Sequence, residues 1–341
     1  MSADRRLQAV ATICIGVPSY RRADKLYDLL KRLVPLVITR PHIRLCVAND
    51  GSHDAAYERV MGVYTGIVDY RVLPRNGGCG AARRAAFEGA TEDYLVCIDD
   101  DCIPSRDWLD WLEAMIAAHP SVDLFAGDVR PYFETEPGDW ERALSILDDN
   151  ASQVVFADGL MTAVTANLVM KREIYERAGG FSADLRGTED CDITQKLIRA
   201  GASYMVVPDW QIFHVAKLRY WPVARRFRQY GSHAAAYTLS RGFWKLAKRH
   251  GTGSVAQAVT RAAERFAAQR REDEGDKTLS GRAKIYRAFV LAALTFEFET
   301  GWYRVMRRAG IRDNKALPQP PRLAERYVDF SDADAAALRA H

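Results

Sequence analysis

Between Ala11 and His119, short apolar runs alternate with stretches whose apolar residues recur at helical spacing. Thr12–Val17, Arg44–Ala48, Tyr70–Leu73 and Tyr94–Ile98 are brief and rich in Val, Ile, Leu and Cys, which predicts buried strands. Lys25–Val34, Ala55–Val63, Ala81–Ala90 and Trp108–Ala118 carry the 3.6-residue period of amphipathic helices. Strand-helix alternation of this kind requires right-handed crossovers, so the expected fold class is α/β, with a mostly parallel central sheet flanked by helices. In such sheets ligands gather where loops leave the carboxyl ends of the strands. The unusual polar residues sit at those ends: Pro18-Ser19-Tyr20-Arg21, Asn49-Asp50-Gly51-Ser52 and Asp99-Asp100-Asp101.

The pattern loosens between Val122 and His214. Leu124–Val129 and Tyr204–Val207 predict strands, and Lys171–Ala178 and Asp190–Ala200 predict helices. From Trp221 onward the chain turns basic and helical. Gln269–Gly281 reads as a charged linker, Ala283–Arg308 as a further amphipathic helix, and the proline-rich Leu317–Leu323 as an extended tail. The expected division is a core over residues 1–219 and a basic helical region over residues 220–341.

Composition adds little until it is localised. Of 341 residues, 48% are hydrophobic and 27% charged, ordinary for a globular chain with a real core. The net charge of +4 is concentrated in the last third, which favours an anionic partner there. No recognised nucleic-acid module accompanies that charge, so nucleic acid is not an expected partner. The six cysteines lie singly, without CxxC spacing, as buried thiols of a reducing compartment do. Met1–Gln8 is polar, and the apolar stretch Ala288–Phe296 is about half of what a membrane span needs. The expected location is cytoplasmic, with peripheral contact at the inner face of the membrane as an open addition.

The aspartate run follows one strand and precedes a helix. Adjacent carboxylates repel, and at a strand end they call for a neutralising cation, for which Mg²⁺ or Mn²⁺ is suited by its preference for oxygen ligands shared with phosphates. Taken alone, the run equally reads as a solvated capping turn. Asn49-Asp50-Gly51-Ser52 alone is a turn with helix-capping residues. Asn76-Gly77-Gly78-Cys79-Gly80 opens a helix bearing Arg83 and Arg84, an arrangement open to close approach by an anion.

In sequence order these segments resemble glycosyltransferase family 2, of GT-A (Rossmann-like) fold. The resemblance rests on VPSYRR (Val17–Arg22), ANDGS (Ala48–Ser52), RNGGCGAAR (Arg75–Arg83) and CIDDDCIP (Cys97–Pro104). It continues through AGGFSADLRGTEDCDITQKLIRAG (Ala178–Gly201) to VPDWQIFH (Val207–His214). It implies an inverting transferase that moves a sugar from a nucleotide-sugar donor, UDP-linked in the leading version, to a hydroxyl acceptor. That acceptor is a glycan, a lipid-linked intermediate or a small metabolite. The same resemblance implies that Pro18, Ser19, Tyr20, Arg21, Asp50, Gly78, Arg83, Asp99 and Asp100 bind the donor. Asp101, Asp99 and His214 would hold Mn²⁺ or Mg²⁺, and Asp190, with Glu189 beside it, would be the catalytic base.

The chain departs from the family pattern at Arg84, where many members have Asn, and at Glu92, where many have Gly. The first puts nucleotide contacts in question; the second lies at the far end of a strand. A sugar-phosphate nucleotidyltransferase would need a Gly-rich, Lys-bearing signature that Ile15-Gly16-Val17-Pro18 lacks. An inactive scaffold that binds carbohydrate or nucleotide is the non-enzymatic alternative, and it would be expected to lose Asp99, Asp101, Asp190 or His214. A processive polymerase normally brings membrane spans and a Gln-x-x-Arg-Trp segment. For the basic Arg225–Arg249 stretch three readings stand: closure over the donor, contact with anionic lipid, or a solvated helix face.

Overall fold

The computed structural model describes residues 10–150, 153–156, 159–185, 187–216, 218–241, 250, 253–276, 280–311 and 326–327. The Leu317–Leu323 tail lies outside them. The chain divides into two compact units. The first holds the chain up to Arg130, Ala151–His214 and the last strand; the second holds Pro131–Asn150 and Val215–Ala324.

The first unit opens with β1 (Ile13–Ser19), α1 (Ala23–Val37), β2 (Ile43–Asn49), α2 (Ala55–Val63), β3 (Val68–Val72), α3 (Cys79–Ala86) and β4 (Tyr94–Cys97). After the short β5 (Cys102–Pro104) and α4 (Trp108–Ala118) comes β6 (Leu124–Tyr132), and α5 (Asp139–Asn150) follows in the second unit. The first unit resumes with the hairpin β7 (Gln153–Phe156) and β8 (Gly159–Ala163), then β9 (Leu168–Lys171), α6 (Arg172–Arg177), α7 (Glu189–Arg199) and β10 (Ser203–Val215). The remaining helices are α8 (Tyr220–Arg241), α9 (Val255–Glu272) and α10 (Gly281–Arg308), and β11 (Arg326–Tyr327) comes last.

A nine-stranded sheet carries the order β11-β10-β6-β9-β4-β1-β2-β3, with β5 on β10. Strands β4, β1, β2 and β3 are parallel, as the alternation predicts. The less regular middle of the sequence supplies the exception: β9 runs antiparallel to both β4 and β6. Every residue of β1 is buried, and its two faces feed two cores. Ile13, Ile15 and Val17 join Leu26, Leu30 and Leu33 of α1 on one side. Cys14 joins Ala82, Ala86 and Phe87 on the other. Gly16 faces that second layer, where a Cβ would stand 2.6 Å from the Phe87 ring, so the helix-facing side of β1 has to be small.

Two registers position the site. Ser19 aligns with Asn49 at the shared carboxyl end of β1 and β2, which sets two polar loops side by side. His214 pairs with Cys102 across β10 and β5, which delivers the histidine beside the aspartate run.

In the second unit, Ala143 and Leu144 of α5 pack with Val223 and Ala224 of α8 and Val290 and Leu294 of α10. Helix α9 extends to Glu272, so Gln269–Glu272 of the expected linker are helical. The helix persists because Arg265 donates to Gln269 at 2.5 Å and Gln269 to Asp273 at 2.9 Å, a ladder at i, i+4 spacing.

Candidate active site

Four strand-end loops and the start of α7 build the site. After β1 the chain turns sharply: Arg21 adopts a left-handed φ of 53°, and its N–H donates to Ser52 Oγ at 2.8 Å. Its guanidinium turns outward over the Tyr20 ring, 5.2 Å from the centroid. Arg22 is the arginine that enters the site. Its N–H donates to the Tyr57 hydroxyl (3.0 Å), Tyr57 and Ser19 Oγ share a hydrogen bond of 2.8 Å, and Ser19 donates to Asp100 Oδ2 at 2.6 Å. Pro18 is buried within β1.

Asp50, at the end of β2, is almost fully buried and accepts the N–H groups of Gly77 (2.7 Å) and Gly78 (2.9 Å). A carboxylate receiving two backbone N–H groups is a strong, directional anchor. It ties the glycine loop to the NDGS turn, and Gly78, at φ 93°, then opens α3.

The three aspartates diverge because the turn after β4 is closed by the Cys102 N–H donating to Asp99 O at 3.1 Å. Asp99 accepts from Arg83 Nη2 at 2.5 Å. Asp100 is fully buried; Arg22 Nη2 lies 2.6 Å from its Oδ1, a charge contact without hydrogen-bond geometry. Burial pushes the Asp100 carboxyl up to about 7, with Arg22 opposing the rise. Asp101 lies between Arg22 Nη1 (2.5 Å to Oδ2) and His214 Nε2 (2.8 Å to Oδ1).

Arg83, buried on α3, joins the two acidic segments. Its second nitrogen, Nη1, reaches Glu189 Oε1 at 2.7 Å while Nη2 holds Asp99. Gly80 permits this, since a Cβ there would meet the Ser182 carbonyl oxygen at 2.6 Å. Thr188, at φ 65°, caps α7, and Asp190 Oδ1 accepts the Cys191 N–H at 2.8 Å. Asp190 is partly exposed at the start of α7. Burial, reinforced by the charge of Glu189, raises its carboxyl well above the usual carboxylate range.

The structure thus gathers Ser19, Asp99, Asp100, Asp101 and His214 around Arg22 and Arg83, with Glu189 joined through Arg83. Arg83 serves carboxylates, and Arg84 donates to Phe181 O at 3.1 Å. In the second unit Arg228 engages Glu297 at 2.5 Å. Sequence reasoning assigned no role to Arg22, although it stands within VPSYRR, and missed Tyr57 altogether. The available signal for Tyr57 was a hydroxyl-bearing aromatic on the core-facing side of α2.

Among the described residues no group of three or more His, Cys, Asp or Glu side chains is arranged to hold a metal. Asp101 and His214 still fit two corners of a coordination shell. Donors about 2.1 Å from one octahedral ion lie about 3 Å apart, and Mg²⁺ in phosphate sites typically takes only one or two carboxylates beside substrate oxygens. Asp99 is turned to Arg83 instead.

Comparison with known proteins gives this geometry its class. Residues 14–179, just under half of the chain, match the family described as Glycosyl transferase family 2. It is 28% identical over 209 residues to the pre-mycofactocin glycosyltransferase of Mycobacterium tuberculosis (strain CDC 1551 / Oshkosh), covering 59% of this chain and 43% of that protein. The succinoglycan biosynthesis protein ExoM of Rhizobium meliloti (strain 1021) is 28% identical over 233 residues, 65% of this chain and 74% of the relative. The chain therefore spans less than half of the mycobacterial relative. Among solved structures, the mannosyltransferase PcManGT from Pyrobaculum calidifontis, in complex with GDP-Man and Mn²⁺, superposes with a TM-score of 0.54 at 19% identity, over 86% of this chain and 88% of that one. The fold is the expected GT-A α/β fold with helices at its C-terminal side.

Proposed function

We propose that the protein transfers a sugar from a nucleoside-diphosphate donor, UDP-linked in the first instance, to an acceptor hydroxyl with inversion at the anomeric carbon. The observation that carries this reading is the Arg83 guanidinium held between Asp99 and Glu189, residues from the donor-side and acceptor-side segments. It fixes the start of α7, and so Asp190, relative to the strand-end aspartates. Asp190, with its raised proton affinity, accepts the hydroxyl proton as the oxygen attacks C1. Ser19, Tyr20, Asp50 and Gly78 shape the nucleoside side of the site. Asp101 and His214 would hold Mn²⁺ or Mg²⁺ together with donor phosphate oxygens. When bound, that ion supplies Lewis-acid neutralisation of the departing diphosphate.

The acceptor is a glycan, a lipid-linked intermediate or a small hydroxylated metabolite. Buried thiols such as Cys14, Cys97 and Cys102 suit a reducing cytoplasm. Among the described residues no helix is long and apolar enough to cross a membrane. Trp221, 72% exposed and flanked by Arg219 and Arg225, supports peripheral contact with an anionic membrane face.

The test is a thermal-shift screen of uridine and guanosine diphosphates and their sugars, with and without Mn²⁺ or Mg²⁺. A ligand at a hundredfold its Kd adds about 2.7 kcal/mol of stability, so the correct nucleotide stands out. Turnover of the donor so identified should then collapse in Asp101→Ala. Asp190→Asn should lose about 10²–10⁴-fold in kcat while retaining nucleotide binding. Wild-type turnover in both variants would refute the assignment.

A further inference from the structure

Arg22 is the one cation that contacts two of the three aspartates among the described contacts. Its Nη1 lies on Asp101 Oδ2 and its Nη2 against Asp100 Oδ1, while Asp101 Oδ1 faces His214. The two ends of this arginine are held very differently. Its backbone is fixed by a directed chain: Arg22 N–H donates to Tyr57, Tyr57 to Ser19, and Ser19 to the buried Asp100. Its side chain is 45% exposed, and on the Asp100 side the guanidinium is held by charge alone, because Oδ1 has no hydrogen-bond partner. A fixed backbone with a half-exposed side chain can pivot, whereas Asp100, at 0% exposure, cannot follow it.

Resting on the transferase reading, we propose that Arg22 is a resident counter-cation of Asp101. It occupies the carboxylate that a divalent ion would use, so that metal enters with the donor and the departing guanidinium passes to the donor diphosphate. The physical ground is repulsion. A guanidinium on Asp101 Oδ2 and a divalent ion on Oδ1 of the same carboxylate repel each other, so each weakens the hold of the other. Empty of donor, the arginine remains, since leaving would strand the buried Asp100 carboxylate without its cation. With donor bound, a diphosphate provides new acceptor oxygens, to which a guanidinium forms bidentate, charge-assisted bonds. Arg22 thereby acts as a positioning residue that makes metal affinity depend on nucleotide.

The test is Mn²⁺ titration, followed by the electron paramagnetic resonance signal of free Mn²⁺. It compares the full-length wild type, Arg22→Gln and Arg22→Lys, first without nucleotide and then with UDP or GDP; circular dichroism confirms the fold. Arg22→Gln should bind Mn²⁺ alone about tenfold more tightly than wild type, the size of one charge-assisted contact, and bind nucleoside diphosphate about tenfold more weakly. Arg22→Lys keeps the charge and so the neutralisation of Asp100, but an ammonium cannot span both carboxylates. Its nucleotide-free Mn²⁺ affinity should rise by about threefold, which keeps the idea testable if the glutamine variant does not fold. Nucleotide-free affinity that stays unchanged or falls in the folded variants overturns the role of Arg22. A wild type that retains no Mn²⁺ even with a nucleoside diphosphate would instead bring down the transferase reading with it.

Discussion

Arg21 and Arg22 are adjacent, equally charged and equally accessible to sequence reasoning, yet one lies outward over Tyr20 and the other reaches the aspartates. The left-handed φ of Arg21 makes the difference, because it rotates the next residue back toward the strand ends. At this scale electrostatics also sets a pH dependence. Asp190 has its proton affinity raised by burial and by Glu189, so as a base it is protonated, and inactive, over a range where a solvated aspartate is already ionised. The acid limb of kcat/KM should therefore sit well above pH of about 4, with activity rising as pH rises. The limb should disappear in Asp190→Asn; an acid limb at or below an ordinary aspartate value would remove Asp190 as the base.

Among the elements, the parallel strands β1, β2 and β4 were legible because each is largely apolar and ends in a polar cluster, and the edge strand β3 because its apolar residues alternate with Asp69 and Arg71. Strands β5 and β9 were not. β5 is only three residues long, and β9 is antiparallel, a direction that no local pattern encodes. The β5–β10 register is what brings His214 to Asp101 across more than a hundred residues of sequence. The turn after β2 makes a sharper prediction. Gly51 has φ 72°, and a Cβ there would fall on the Arg75 backbone. Gly51→Ala should destabilise by about 1–3 kcal/mol through backbone strain and displace Asp50 from the glycine loop. The expected readout is a lowered Tm together with weakened nucleotide binding. An unchanged Tm would mean that the turn tolerates another conformation.

For the molecule as a whole, the chain forms two compact units, and α5 belongs with α8 and α10 although it is flanked in sequence by sheet strands. Helices α8 and α10 approach at two glycines. A Cβ on Gly231 would enter the Phe298 carbonyl oxygen, and one on Gly301 the Arg228 carbonyl oxygen. Backbone cannot yield as a side-chain tip can, so Gly231→Ala and Gly301→Ala should each cost about 1–3 kcal/mol. Denaturant unfolding would register this as a lower midpoint, and a midpoint equal to wild type would argue against close helix contact. Around that crossing, Arg228 pairs with Glu297 and Arg261 with Glu299 inside the helical unit, which is where part of the C-terminal basic surplus is spent.

Periodicity and punctuation by themselves determined the α/β class, the order of the first strands and helices, and the placement of the polar clusters at carboxyl ends. These follow from local rules: a buried strand must be apolar on both faces, and a turn must carry residues that tolerate it. The family resemblance added which clusters belong to one site. Which carboxylate meets which cation was decided only in three dimensions. Asp99 goes to Arg83, Asp100 to Ser19 and Arg22, and Asp101 to Arg22 and His214. Those partners come from α3, the β1 loop and β10, and three consecutive identical residues carry no local signal of where each will point. Directional pairing of buried charge depends on the sheet register and on close approaches such as Gly80 to Ser182, which exist only once the layers have packed.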